Sequence, residues 1–356
     1  MHNKFFPTPK YLSKPSFGLD ISDVSIKFLE FLETRDGVRL GRFGERSIPS
    51  GIIESGKIAE PKHLKDILLS LSKEEGISSV RVSLPEEQIY LFKLKVPREG
   101  AGNIREMIEL SLEEYVPIPP AEVVFDYELL QEDEQNFEVE VAAIQKSVIE
   151  SYLYIFKDCG LVVPSFELEA QALARAVVKE GDMDAYMILD CGNNRTGIAI
   201  ISRGIVVFTS TLDTGGEMLT KLIEKNFKVT FTEAEKMKIK YGLTRNTENQ
   251  EVFSTLLNGV SILRDEINKH FIYWHTTRGE DGKERPPIKK IILCGRGANL
   301  AGFSEYLSIG MHQKVELADV WSNVALPADY IPEISFEESM GYATAIGLAL
   351  ADLKYD

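Results

Sequence analysis

The chain has 356 residues, 44% of them hydrophobic and 27% charged, the balance of a globular protein long enough for two large domains. Its net charge of −15 and pI near 5.0 argue against nucleic acid as a partner and against electrostatic docking on anionic lipid. No apolar run is long enough to span a bilayer, no secretory signal opens the chain, and Cys159, Cys191 and Cys294 are scattered, which suits reduced cytoplasmic thiols better than a metal or disulfide framework.

Residues 1–15 read as a flexible tail with three prolines and the pair Phe5-Phe6. Residues 16–48 hold two or three strands around a turn at Asp20. Pro61 opens a helix over residues 61–72, with Leu64, Ile67, Leu68 and Leu71 on one face. Val80–Leu84 is a short strand. Leu91–Val96 alternates like a half-buried strand and stops at Pro97. Asn103 caps a helix bearing Ile104, Met107, Ile108, Leu112 and Tyr115, ended by Pro117, Pro119 and Pro120. Val123–Leu130 and Phe137–Ile144 pair as a hairpin with one wet face. Residues 85–147 thus form a small α+β module inserted into the first half.

Ser147–Cys159 and Leu168–Val178 read as helices, and Met187–Thr211 as a second strand pair. Gly215-Gly216 begins a helix. Phe231–Tyr241 is a charged helix, and Thr255–Trp274 is a long amphipathic one with Ile262, Leu263, Ile267, Phe271 and Trp274 on its apolar side. A polar loop covers residues 276–287. Ile288–Leu293 is a buried strand that runs into Gly295-Arg296-Gly297-Ala298. A helix over Phe303–Leu307 and a Gly/Ala-rich helix over Ser339–Leu353 close the chain.

The most informative feature is a repeated pattern. Phe17-Gly18-Leu19-Asp20 and Met187-Ile188-Leu189-Asp190 are each an apolar strand ending in a carboxylate, followed by a tight polar turn and a second strand. Two such units half a chain apart suggest two similar lobes gripping one nucleotide between them. Gly192 would let backbone amides approach a phosphate, Asn193, Asn194 and Thr196 would add side-chain donors, and Asp190 would hold Mg²⁺ through its waters. Taken alone, that turn is more simply a hairpin turn and the Gly295-Arg296-Gly297 loop more simply a strand-to-helix turn, and Glu235 and Lys238 can be read as a solvated ion pair.

The order of these features resembles the actin/Hsp70-like ATPase superfamily, and within it the PilM family of type IV pilus assembly proteins, relatives of FtsA. The stretches that carry the resemblance are Gly18-Leu19-Asp20-Ile21 with Ser25-Ile26-Lys27, Met107 to Pro120, Gln171 to Ala176, Thr214-Gly215-Gly216, Ala234 to Lys238, Ile292 to Phe303, and Gly341 to Gly347. The resemblance covers residues 16–353. It implies an α/β, two-lobed actin-like ATPase fold, with duplicated ribonuclease-H-like lobes and an FtsA/PilM-type insertion in the first. The implied division is subdomain 1A over residues 16–84 and 148–181, 1C over 85–147, 2A over 182–222 and 287–356, and 2B over 223–286.

The resemblance also implies a site for ATP and Mg²⁺. Asp20 and Asp190 would be the magnesium carboxylates, with Ser22, Ser25 and Lys27 in the first phosphate turn. Gly192, Asn193, Asn194 and Thr196 would line the second turn, and Gly215 and Gly216 would approach the phosphates. Glu235 and Lys238 would contact ribose and adenine, and Gly295, Arg296, Gly297 and Ala298 would form the adenosine loop. Glu167 would orient the attacking water, with slow ATP hydrolysis or none. The chain departs from the family pattern at Ser22-Asp23-Val24, where Asp23 brings a negative charge towards the phosphates, and at Arg296 in place of glycine.

The implied function is a cytoplasmic, ATP-binding scaffold, peripheral to the inner membrane. It would grip the N-terminal cytoplasmic tail of PilN and thereby join the PilN/PilO complex and the pilus motor ATPases. The alternatives are a nucleotide-free scaffold of the same fold, an FtsA-like cell-division ATPase, and a small-molecule kinase of the superfamily, for which no general base beyond Glu167 is evident.

Overall fold

The computed structural model describes residues 16–98, 103–245, 249–279, 282 and 284–353; the tail read over residues 1–15 lies outside them. The first lobe begins with β1 (Phe17–Ile21), β2 (Ser25–Thr34) and β3 (Gly37–Ser47), a meander of antiparallel strands. A two-residue hairpin follows, β4 (Ile53–Glu54) and β5 (Lys57–Ile58), which the sequence reading missed. Helix α1 (Pro61–Glu75) starts on Pro61 and ends where Gly76, at φ 65°, takes the left-handed conformation and donates its amide to Ser72 O. Strand β6 (Val80–Leu84) then lies parallel to β1.

The inserted module comprises β7 (Ile89–Pro97), α2 (Ile104–Tyr115), β8 (Val123–Glu132) and β9 (Asn136–Gln145). Asn103 caps α2 by accepting the Arg105 amide at 3.1 Å. The last strand of the module, β9, is central, so the sheet order is β7-β9-β8. Val139, Val141 and Ala143 alternate on β9 towards a core of their own with Ile108 and Leu112 of α2. The chain re-enters the first lobe through α3 (Lys146–Phe156) and β10 (Phe166–Leu168), then passes along α4 (Glu169–Val177). A helix over Leu168–Val178 was expected; its first residue instead completes a strand that pairs with β6.

The second lobe starts with β11 (Ala185–Cys191), β12 (Thr196–Ser202) and β13 (Ile205–Leu212), three antiparallel strands where a pair was expected. Helices α5 (Gly216–Phe227), α6 (Phe231–Tyr241) and α7 (Gln250–Thr276) follow. Thr230 and Glu233 form a reciprocal cap on α6. The buried side of α7 runs through Val252, Leu256, Val260, Leu263, Ile267 and Trp274, leaving Ile262 exposed, against expectation. Then come β14 (Ile288–Cys294), α8 (Phe303–Met311), β15 (Val315–Leu317), α9 (Phe336–Ser339) and α10 (Ala343–Leu350). The closing helix expected over Ser339–Leu353 is therefore interrupted by a tighter turn at Met340–Tyr342.

The two sheets have one topology. The first runs β3-β2-β1-β6-β10 and the second β13-β12-β11-β14-β15. In each, an antiparallel meander is extended by two strands parallel to the first, β6 and β10 in one lobe, β14 and β15 in the other. The lobes meet along α4 and α10. A Cβ on Gly347 would lie 1.8 Å from Ala172 O, and one on Gly18 would lie 1.9 Å from Ala345 O, so the seam requires backbone-to-backbone approach. It places the first turns of both meanders face to face across a cleft.

Candidate functional site

The cleft is a cavity of about 830 Å³ between the lobes. Asp20 sits near the end of β1, and its register partner on β2 is Lys27, whose Nζ is 3.9 Å from the carboxylate. Ser83 of β6 donates to Asp20 at 3.3 Å. Asp190 sits in the corresponding place on β11. Among the other acids that line the cavity, two stand close to this pair: Glu86, just after β6, and Glu169, the first residue of α4. Glu86 accepts the Ala170 amide at 3.2 Å, and its other oxygen, Oε1, has no partner.

Four carboxylates around one ammonium cannot all ionise cheaply. Burial raises the pKa of Asp20, against the pull of Lys27. It pushes Asp190 up to about 6 and Glu86 up to about 7. Glu169 is held well above the carboxylate range, by burial first and then by Asp190, Asp20 and Glu86. Burial thus favours the protonated forms of this cluster, and only nearby positive charge lets buried carboxylates stay ionised. Among the described residues no three acidic, histidine or cysteine side chains converge closely enough to hold a metal directly.

Sequence reasoning missed Glu86 and Glu169. The signal for Glu86 was an acid at the end of a buried strand, the same signal that singles out Asp20. Glu169 lies two residues past Glu167, the acid expected to face the site. Glu167 does not line the cavity. It is held between two arginines, 3.2 Å from Arg81 and 2.7 Å from Arg175.

A profile of the family described as type IV pilus assembly protein PilM matches residues 18–353. The chain belongs to the PilM family. It is therefore an actin-fold protein of type IV pilus assembly. A solved PilM–PilN type IV pilus biogenesis complex is similar, with a TM-score of 0.78 at 22% identity, covering 96% of this chain and 99% of that one. MreB5 of Spiroplasma citri bound to ADP shares the fold, with a TM-score of 0.55 at 15% identity over 87% of this chain and 93% of that one. Among curated proteins, the cell division protein FtsA of Neisseria meningitidis is 33% identical over 86 residues, 24% of this chain and 21% of FtsA. FtsA of Staphylococcus epidermidis is 23% identical over 265 residues, 66% of this chain and 57% of FtsA. The chain thus spans well under two thirds of the length of these curated relatives.

The positions that the PilM resemblance singles out fall into two groups. Ser22, Ser25, Gly192, Asn193, Asn194, Gly216, Glu235, Lys238, Gly295, Arg296 and Gly297 line the cavity with Asp20, Lys27 and Asp190. Thr196, Gly215 and Ala298 stand behind it. The Thr196 hydroxyl donates to Thr214 O at 2.8 Å, and the residue is buried. A Cβ on Gly215 would lie 2.4 Å from Asn193 O. The amides of Gly216 and Glu217 donate to the carbonyls of Gly192 and Asn193, at 3.1 and 2.8 Å. Gly215-Gly216 therefore seats α5 against the second turn.

Two further readings change with the structure. Glu235 and Lys238, 2.8 Å apart, are no solvated pair. Lys238 is buried and donates to Gly216 O at 3.0 Å and to Thr220 Oγ1 at 2.8 Å, which ties α6 to the start of α5. The glycines of the 295–297 loop have a structural cause. Gly295 has φ 77°, and a Cβ there would lie 2.4 Å from the Asp190 carboxylate; one on Gly297 would lie 2.8 Å from Cys191 O. Arg296 turns out of the loop to pair with Glu45 of β3 at 2.6 Å.

Proposed function

We propose that this chain is a nucleotide-gated scaffold of the type IV pilus machinery. It binds Mg·ATP in the cleft and the N-terminal cytoplasmic tail of PilN on the first lobe and its insertion. The observation that carries the nucleotide reading is the convergence of buried carboxylates from both lobes at one cleft, with an unpartnered oxygen on Glu86. Asp20 and Asp190 would hold the waters of a magnesium ion, and the Asn193 and Asn194 side chains would bind phosphate oxygens. The ion would offset phosphate charge, which the cluster of carboxylates otherwise repels. Glu169, at the seam end of α4, is better placed than Glu167 to orient a water. Its protonated tendency and crowding favour slow turnover or none.

Support for the tail site comes from the family and from the likeness to a solved PilM–PilN complex. The inserted sheet has two edge strands, β7 and β8, open to pairing with an extended peptide. Through PilN the chain would join PilO, the inner membrane and the motor ATPases. No helix among the described residues is long and apolar enough to cross a membrane.

Calorimetric titration tests both parts. Mg·ATP is added to the wild type and to Asp190→Ala, and a synthetic PilN tail peptide is added with and without nucleotide. Micromolar binding that vanishes in Asp190→Ala, with peptide affinity changed by nucleotide, is expected. No ATP binding by the wild type leaves a nucleotide-free docking platform, and equal peptide affinity in both states removes the gating.

A further inference from the structure

Asp23 brings a negative charge into the lining of the cleft, and the structure shows where that charge goes. Its carboxylate accepts the amides of Ser55 and Gly56 at 3.2 and 3.1 Å, both in the tight turn between β4 and β5. It then crosses the cleft to the guanidinium of Arg195. The same guanidinium pairs with Glu87, which follows Glu86 at the end of β6. Arg195 stands in the second turn, directly after Asn193 and Asn194, and lines the cavity with both acids. The three side chains are only 15%, 14% and 20% exposed for Arg195, Asp23 and Glu87, so this is a largely desolvated cluster and not a surface pair.

A planar guanidinium in a phosphate turn is a strong, bidentate ligand for phosphate oxygens. Here it is engaged by two carboxylates of the opposite lobe. We infer that Arg195 is a phosphate-binding residue held in reserve, and that Asp23 and Glu87 are its internal competitors. A nucleotide whose γ-phosphate reaches this turn takes the guanidinium from the acid pair. The exchange makes the site weaker for triphosphate than its donors alone would allow, and it links nucleotide entry to the cross-cleft contact. A second contact of the same character is made by Arg296, which pairs across the cleft with Glu45. The inference rests on the nucleotide reading given above.

The test uses the full chain, with Mg·ATP and Mg·ADP titrated into the wild type, the double variant Asp23→Asn/Glu87→Gln, Arg195→Gln and Arg195→Lys. Neutralising the two acids is expected to raise Mg·ATP affinity by about 10-fold, the usual scale for freeing a charge-assisted contact. Arg195→Gln is expected to lower Mg·ATP affinity by a similar factor and to leave Mg·ADP nearly unchanged, a selectivity that misfolding would not produce. Arg195→Lys, which keeps the charge, is expected to fall between. Equal Mg·ATP affinity in Arg195→Gln and wild type overturns the inference and leaves the nucleotide reading standing. Weaker binding in the acid-neutralised variant also overturns it, because the acids would then support Arg195. If the wild type binds nothing but the acid-neutralised variant binds Mg·ATP, the acids are what close the site and the inference holds. If no variant binds either nucleotide, both readings fall.

Discussion

In both lobes the residue two positions after the strand carboxylate donates its amide to the carbonyl five positions after it: Ser22 to Ser25 at 2.9 Å, and Gly192 to Arg195 at 2.9 Å. The register then places Lys27 opposite Asp20 and Gly197 opposite Asp190. The backbone frame is duplicated, and the side chains mounted on it are not. The first lobe puts an ammonium beside its carboxylate, whereas the second leaves a gap. The first turn closes on itself, with the Ser22 hydroxyl accepting from the Val24 and Ser25 amides at 3.4 and 3.2 Å. The second turn presents Asn193, Asn194 and Arg195 to the cleft. One frame therefore carries two arrangements, a charge pair beside the carboxylate in the first lobe and polar side chains facing the cleft in the second.

The sharpest way to break this comparison is to exchange the two register partners. Lys27 is the ammonium that pulls down both Asp20 and Asp190. Lys27→Met should destabilise the chain by about 3 kcal/mol at neutral pH, the scale for removing one partner of a buried charge cluster. A Cβ on Gly197 would meet the Asp190 Cβ at 3.6 Å, an ordinary contact. Gly197→Ala should therefore cost less than about 1 kcal/mol. Urea unfolding of the two variants decides. Equal costs would mean that the lobes do not divide the work in this way.

The duplicated strand-and-carboxylate units were legible because each lies within a short stretch of chain. Asp20 and Asp190 announce themselves as acids closing apolar strands, and the alternation of Phe137, Val139, Val141 and Ala143 marked the core side of the insertion's sheet, although Glu140, on the face expected to be wet, is buried. What stayed hidden depends on contacts between distant segments. Glu86 and Glu169 come together only because β6 ends and α4 begins at the same edge of the first sheet. The turn that seats Asp23 sits between strands of two residues each, too short to show a period. The glycine in the break before α10, Gly341, faces Arg296 from far back in the chain, whose Cγ would lie 2.8 Å from a Cβ there. Arg195 was passed over because a cation in a polar turn has no meaning until the acids across the cleft are known.

The insertion carries a buried acid of its own. Glu140 of the central strand β9 is buried, lies across from Lys93 and Glu128, and has an oxygen without a partner. Burial raises its pKa from 4.5 to about 7, Lys93 opposing and Glu128 adding. A carboxyl with a raised folded-state pKa binds more protons folded than unfolded, so its cost grows as pH rises from the lower value to the higher and is complete above it. Glu140→Gln should then stabilise the chain by about 2 kcal/mol at pH 8, with a benefit that shrinks as pH falls towards 5. Denaturant unfolding across that range checks it. A benefit that does not change with pH would locate the effect in packing and not in charge.

The smallest expected effect bears most directly on the two turns. Ser22→Ala removes the hydroxyl that accepts from the Val24 and Ser25 amides and itself donates to Ser25 O at 3.0 Å. Unmaking a local side-chain-to-backbone network of this kind costs about 1 kcal/mol. In the second turn, the Asn193 side chain reaches only the Asn194 side chain, at 2.8 Å, among the described residues. Asn193→Ala should cost less than about 0.5 kcal/mol in unfolding while weakening Mg·ATP. That pairing, stability lost in the first turn and affinity lost in the second, is the signature of a frame whose one copy has become structural. If Asn193→Ala proves as destabilising as Ser22→Ala, the second turn is held by its side chains too, and the donors facing the cleft are part of the architecture before they are part of any site.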